Sequence, residues 1–353
     1  MLNFYPGPSK VYPEVRDYLT MAYDEGMLSI PHRGERFVLM MRELVALLRL
    51  KLNIPQDYFI FFTSSATECW EIIAQSLTPH KSLHLYNGAF GEKWYEYAKK
   101  LRPDCYGQAF GLEEVLDVPN LPVEDDTDVI CVTQTETSNA TQVSMHTLLK
   151  LQNQFKDPLL AIDATSSMAG LNLKFIRADI WFASVQKCFG LPSGMGILVC
   201  SPRTIQRAKG INDRKYYNSL VFMHEKMLNY QTTFTPNVLN LFLLKKVLEK
   251  RPLIKNVDQL LTQRAQELYA FLDELTDVEV LVENPEVRSP TVLAVKGPDR
   301  WVQEAKRLAI LQGITLGNGY GAWAKTTFRI ANFPAIADAE YETLRNFISN
   351  HYH

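Results

Sequence analysis

The sequence predicts an α/β fold: a large unit on a mostly parallel sheet, followed by a small α+β C-terminal unit. Three observations predict it. Short apolar runs recur between stretches of helical spacing, and several of these runs are apolar at nearly every position. After about residue 236 the alternation gives way to long helices and a second group of strand-like runs. Strands alternating with helices imply parallel pairing through right-handed crossovers. Near-continuous apolar runs suit strands covered on both faces.

Taken in order, the opening MLNFYPGPSK carries Pro6, Gly7 and Pro8, which cannot start a helix and read as an extended arm. Residues 34–50, GERFVLMMRELVALLRL, have apolar residues at helical spacing and predict one long helix. Six runs then read as strands: 58–63 (YFIFFT), 82–86 (SLHLY), 128–133 (DVICVT), 159–163 (LLAID), 179–184 (DIWFAS) and 196–200 (GILVC). Residues 237–273 predict two long helices broken near Arg251-Pro252. Strand-like runs at 278–282 and 291–295, a helix at 299–312 and a run at 326–330 complete the small unit. The expected division is an arm at 1–13, a large unit at 14–245 and a small unit at 246–353.

The 353 residues, 46% hydrophobic and 22% charged, are ordinary for a globular chain able to bury a sizeable core. A net charge of -2 gives no global reason to expect nucleic acid or an anionic membrane as partner. The five cysteines are scattered and form no CxxC pair, which argues against a disulfide framework and a zinc site. No signal peptide and no membrane-spanning run is visible, so a cytoplasmic protein without a metal, acting on small molecules, is expected.

In open parallel sheets ligands bind beyond the carboxyl ends of the strands. Four such ends carry polar or small residues. Thr63-Ser64-Ser65-Ala66-Thr67-Glu68 joins a strand to a helix; it reads as a helix cap and equally as a cradle of free amides for a phosphate. Asp163 ends a strongly apolar strand, where a carboxylate needs a cation, donors or a capping role. The polar run 133–139 (TQTETSN) is by itself a loop. Lys187 follows the strand 179–184 and precedes a glycine-rich turn. A lone lysine there usually snorkels to the surface; a desolvated one has a lowered pKa and becomes a nucleophile for imine formation. Together, a phosphate cradle, a buried Asp and a reactive Lys meet the needs of pyridoxal 5'-phosphate: the lysine condenses with its aldehyde and the aspartate keeps its ring nitrogen protonated.

These residues resemble the class V aminotransferases of fold type I over essentially the whole chain, and within them the phosphoserine aminotransferases. The similarity rests on residues 3–8 (NFYPGP), 29–34 (SIPHRG), 87–91 (NGAFG), Glu136-Thr137, Asp163 with Thr165, Gln186-Lys187, 234–236 (FTP) and 328–331 (FRIA). Fold type I implies a seven-stranded large sheet. The resemblance implies that Lys187 carries the cofactor and moves protons, that Asp163 pairs with the ring nitrogen, and that Phe90 stacks on the ring. Thr137 is implied to donate to the ring hydroxyl. Ser65, Ala66, Thr67, Gln186 and Thr165 are implied to hold the phosphate, with Thr235 of a neighbouring subunit. Arg329 is implied to clamp the substrate α-carboxylate through its planar fork, and His32 and Arg33 of the neighbour to take the distal anion. Shared sites imply a homodimer acting on amino acids and 2-oxo acids.

The sequence departs from that pattern in residues 317–325 (GNGYGAWAK), where phosphoserine aminotransferases commonly carry a second His-Arg pair and only Lys325 is basic here. The Asn87–Gly91 context, with Phe90 where tryptophan is usual, looks closer to alanine–glyoxylate and serine–pyruvate aminotransferases. The N-terminal arm and His32-Arg33 make phosphoserine:2-oxoglutarate transamination the expectation; the Phe90 context and the missing basic pair favour an alanine- or serine-glyoxylate enzyme as alternative. A class V lyase fits less well, since Gln186 and Phe90 stand where such enzymes usually have histidines. A non-catalytic binding protein is the alternative of a different class.

Overall fold

The protein, described from a computed structural model over residues 1–352, opens with a short strand β1 (Leu2–Phe4) and helices α1 (Val15–Asp24) and α2 (Glu35–Leu52). There follow β2 (Phe59–Thr63), α3 (Ala66–Ser76), β3 (Lys81–Tyr86), α4 (Ala89–Leu101), β4 (Tyr106–Ala109) and β5 (Thr127–Thr133). A two-residue hairpin pairs β6 (Thr135–Glu136) with β7 (Thr141–Gln142), and α5 (Met145–Gln154) leads to β8 (Leu159–Asp163), β9 (Ile180–Ser184) and β10 (Gly196–Cys200). Helices α6 (Pro202–Ile211), α7 (Leu220–Met227), α8 (Val238–Lys250) and α9 (Ile254–Asp273) carry the chain to β11 (Glu279–Val280) and β12 (Val292–Lys296). Helix α10 (Asp299–Leu311), β13 (Ile314–Asn318), β14 (Thr327–Ala331) and α11 (Asp338–His351) complete it.

The large sheet has seven strands in the order β2-β10-β9-β8-β5-β3-β4. It is parallel except for β10, which runs against both β2 and β9. Every residue of β5, β8, β9 and β10 is buried, because both faces are covered. Side chains alternate between two cores, as strand geometry requires. Leu159 and Ala161 pack with Trp70 and Ile73 of α3 and Trp94 of α4. Leu160 and Ile162 join Met41 and Leu44 of α2 and Leu241 and Leu244 of α8 on the opposite face. Burying a side chain such as Ile162 stabilises the fold by about 2 kcal/mol.

The seven strands are the number fold type I implied; the six apolar runs left out β4, whose residues YGQA form an edge strand with three of four positions exposed. Such an edge has no apolar run to read.

The second sheet, β1-β13-β14-β12-β11, is antiparallel except where β1 lies parallel to β13. The N-terminal arm is thereby fastened to the C-terminal sheet. It then crosses to the large unit, where the Ser9 amide donates to the Gln186 carbonyl at 2.9 Å and the Tyr12 amide to the Gly190 carbonyl at 3.0 Å. The division expected between 245 and 246 falls inside α8; the helical break is at Arg251–Leu253, where Pro252 has no amide to offer. Buried Arg251 donates to the Cys188 and Ala169 carbonyls, tying this joint to the segment that carries Lys187. Among the described residues no helix is long and apolar enough to cross a membrane.

Candidate active site

The carboxyl ends of the parallel strands converge on one cavity of about 380 Å³. Thr133 ends β5, Asp163 ends β8, Ser184 ends β9, and Ala66 and Thr67 begin the helix after β2; all line it. Tyr5–Pro8 of the arm and Tyr320 and Arg329 from beside and within the second sheet close it. Gly196 starts β10 at this same edge. A Cβ there would lie 2.4 Å from Thr63 Oγ1 and 2.6 Å from Ser65 backbone, so glycine lets α3 begin against the strand.

Lys187 is buried, with its amine donating to Thr137 Oγ1 and Ser166 Oγ, both at 2.8 Å. Nζ lies 5.3 Å from the centre of the Phe90 ring. Burial pushes the amine down to about 8; Asp163 opposes the shift and Arg329 adds to it. The amine is thus held ready to lose its proton near neutral pH. The arm passes directly over this side chain: a Cβ on Gly7, at φ +148°, would sit 3.0 Å from Lys187 Cε.

Asp163 is buried, and burial raises its carboxyl above the ordinary range against the lowering effects of Thr165 and Lys187. The Thr165 amide donates to its Oδ1 at 2.9 Å. Near it, Thr133 Oγ1 and Gln186 Oε1 are buried atoms of cavity-lining residues with no hydrogen-bond partner within the chain. Buried polar atoms normally find partners. Donors and acceptors of this kind, beside a reactive amine and a carboxylate, fit a phosphorylated pyridine aldehyde.

Phe90 sits on the first turn of α4 and is placed by Glu136. One carboxylate oxygen of Glu136 accepts from the Phe90 and Gly91 amides at 3.1 and 3.0 Å; the other accepts from the Ser138 amide and hydroxyl at 3.0 and 2.6 Å. The anion caps the positive end of the helix, though burial raises its carboxyl pKa. The Phe90 ring stacks on Tyr320 at 4.9 Å between centroids and 22° between planes. Lys93, one turn along α4, donates to Tyr320 Oη at 2.6 Å.

Arg329 is buried, its Nε donating to the Asn318 carbonyl and Nη1 to the Thr137 carbonyl, both at 2.6 Å. These two bonds fix the guanidinium plane at the cavity wall and leave its other edge for a carboxylate. Burial lowers its pKa from the usual arginine value.

Of the residues singled out from sequence, Ala66, Thr67, Phe90, Thr137, Asp163, Thr165, Gln186, Lys187 and Arg329 all line this cavity. Ser65 does not; its hydroxyl caps α3 by accepting from the Glu68 amide at 3.0 Å. The Ala66 amide, expected to be free, donates to Ser184 Oγ at 3.0 Å. His32, Arg33 and Thr235 are not among the lining residues, and Arg33 and Thr235 are exposed on this chain. Sequence reasoning missed Ser166, Ser184, Trp70, Lys93 and Tyr320. Ser166, two residues beyond the Asp-Ala pair, and Ser184, a polar end to an apolar strand, carried a readable signal; the other three are placed by tertiary packing. Among the described residues no cluster of His, Cys, Asp and Glu could hold a metal ion.

The family profile "Aminotransferase class-V" matches residues 2–322. The phosphoserine aminotransferase of Corynebacterium glutamicum (strain R) is 28% identical, covering 97% of this chain and 92% of its own. That of Rhodococcus opacus (strain B4) is 26% identical with the same coverage. A solved phosphoserine aminotransferase from Cytophaga hutchinsonii superposes with a TM-score of 0.94 at 30% identity, covering 99% of this chain and 98% of that one. An alanine–glyoxylate aminotransferase from Nostoc sp. has a TM-score of 0.84 at 20% identity, covering 98% and 94%, which speaks for the fold alone.

Proposed function

This chain belongs to the class V aminotransferase family, enzymes that work with pyridoxal phosphate, and on that premise we propose that it exchanges the amino group of O-phosphoserine with 2-oxoglutarate. The observation that carries the reading is a buried amine and a buried carboxylate lining one cavity, Lys187 and Asp163, with Arg329 fixed at its wall. Full-length similarity to relatives named phosphoserine aminotransferase supports the choice of donor.

Lys187 would hold the cofactor, Asp163 would face the ring nitrogen and Phe90 the ring face. Thr137, Thr165, Gln186 and Thr67 would complete the hold. When bound, pyridoxal phosphate supplies an aldehyde for the donor's amine and a ring that withdraws electrons from its α-carbon. Arg329 orients the substrate by its α-carboxylate. Lys187, with its amine poised near 8, accepts and returns the α-proton at Nζ. Thr137 and Ser166 aim that amine through their hydroxyls. The arm residues Tyr5–Pro8 cover the cavity and limit water.

His32, Arg33 and Thr235 belong in this reading to the neighbouring subunit of a homodimer; Arg33 and Thr235 are exposed and His32 half-buried, so each keeps surface with which to reach across. The two separate sheets support a large and a small unit, with the joint at Arg251–Leu253 in place of 245/246 and the arm (1–13) fastened to the small unit's sheet; His353 lies outside the described residues. Five free, buried cysteines support a reducing, cytoplasmic setting.

A second reading, alanine or serine donation to glyoxylate, draws on Phe90 and on the absence of His and Arg from 317–325. An amino-donor screen separates the two. Phosphoserine, serine, alanine and glutamate are each added to the holoenzyme and the loss of the bound cofactor's visible absorbance is followed. Phosphoserine should exceed alanine in kcat/KM by at least about tenfold, a difference of ~1.4 kcal/mol in transition-state binding. Faster conversion with alanine or serine would overturn the proposal.

A further inference from the structure

We propose that Lys93 and Tyr320 are this chain's own contribution to the subsite for the substrate's distal anion, which they complete from the side opposite His32 and Arg33 of the neighbouring subunit. The inference rests on the phosphoserine reading and extends it. Three cations line the cavity: Lys187, Arg329 and Lys93. Lys187 is assigned to the cofactor and Arg329 to the α-carboxylate, which leaves Lys93. Its position follows from helix geometry, because Phe90 and Lys93 are three residues apart on α4 and share a face.

Tyr320 links these groups. Its ring stacks on Phe90, lies 5.0 Å from Lys93 Nζ and 5.6 Å from the Arg329 guanidinium carbon. Lys93 donates to Tyr320 Oη, so the phenol proton points elsewhere and is free to donate. The ammonium keeps two further protons. The pair therefore presents up to three donors and one positive charge, which suits the three outer oxygens of a phosphomonoester better than a neutral side chain. Tyr320 lies in the stretch 317–325 that lacks His and Arg, and the cation beside it comes from α4.

The test uses holoenzyme and two ligands that carry no amino group, 3-phosphoglycerate and glycerate, titrated by calorimetry. Wild-type enzyme should prefer 3-phosphoglycerate. Lys93→Met should reduce that preference at least tenfold and Tyr320→Phe about threefold, while Lys93→Arg restores most of it. Cofactor absorbance and circular dichroism check that the variants are folded and loaded. If Lys93→Met lowers both affinities alike, or neither, the subsite is overturned while the phosphoserine reading stands on the donor screen. If the wild type binds both ligands alike, the subsite is overturned outright. Failure of the donor screen alone, with the Lys93-dependent preference intact, would remove the reaction and leave the anion subsite.

Discussion

Covalent capture of pyridoxal phosphate by the apoenzyme should level off near pH 8. An amine at about 8 is roughly one-tenth neutral at pH 7, against about three parts in ten thousand for an unperturbed lysine, a roughly 300-fold gain in nucleophile. The capture rate should climb about tenfold per pH unit up to 8 and then flatten, measured by stopped-flow absorbance from pH 6 to 10.5. The causes of the shift give the test its sign. Asp163 raises the lysine and Arg329 lowers it. Asp163→Asn should move the plateau to lower pH and Arg329→Gln to higher pH. A rate still climbing at pH 10 in the parent, or both variants moving the same way, would refute the electrostatic account. Stability offers a cross-check. The folded-state value lies below the unfolded one, so protonation of Lys187 opposes folding. The cost, about 3 kcal/mol, is full below pH 8 and fades as pH rises toward 10.5. Lys187→Met apoenzyme should thus gain stability over the parent at pH 7 and lose the advantage at pH 10.

Two further outcomes concern the residues that place the site. Glu136→Gln keeps one acceptor oxygen but turns an amide NH2 toward donors on its other side; it should cost about 2 kcal/mol in urea denaturation and weaken cofactor binding through Phe90. Unchanged stability would remove the helix-cap role. Gly7→Ala places a methyl against Lys187 Cε at a φ of +148°, which other residues rarely adopt; a loss of about 1–3 kcal/mol and slower cofactor capture should follow, read by thermal melting and absorbance. Capture at the parental rate would show that the arm does not constrain the lysine.

The large sheet was legible because its strands are buried on both faces, so that LLAID, DIWFAS and GILVC declare themselves by composition alone. The strand β4 was not, since an exposed edge tolerates Gly and Gln. Nor was the pairing of β1 with β13, which joins residues some three hundred positions apart and leaves no local pattern. The same contrast holds in the cavity. Asp163 and Lys187 stand out as polar residues at the ends of apolar strands. Lys93 is an ordinary exposed lysine on a helix, and Tyr320 an ordinary aromatic in a glycine-rich loop, until the second sheet brings them together. Ser65 shows the opposite error: a hydroxyl at a helix start suits both a cap and an anion site, and here the backbone took it.

In the proposed reaction the charge arrangement would also couple substrate binding to proton transfer. The whole chain is slightly acidic, yet its cavity is lined by Lys93, Lys187 and Arg329 against Asp163. Arg329 helps hold Lys187 below the ordinary lysine range. A carboxylate seated on Arg329 cancels that repulsion, so the lysine binds a proton more tightly once substrate is in place. Linkage makes the effect reciprocal: a protonated Lys187 must strengthen carboxylate binding by the same factor. On the proposed roles, the neutral amine that takes up the cofactor and the stronger base that accepts a proton from bound substrate would need no movement of the lysine. Burial sets the low starting value, and pairing the cation that faces the amine raises it.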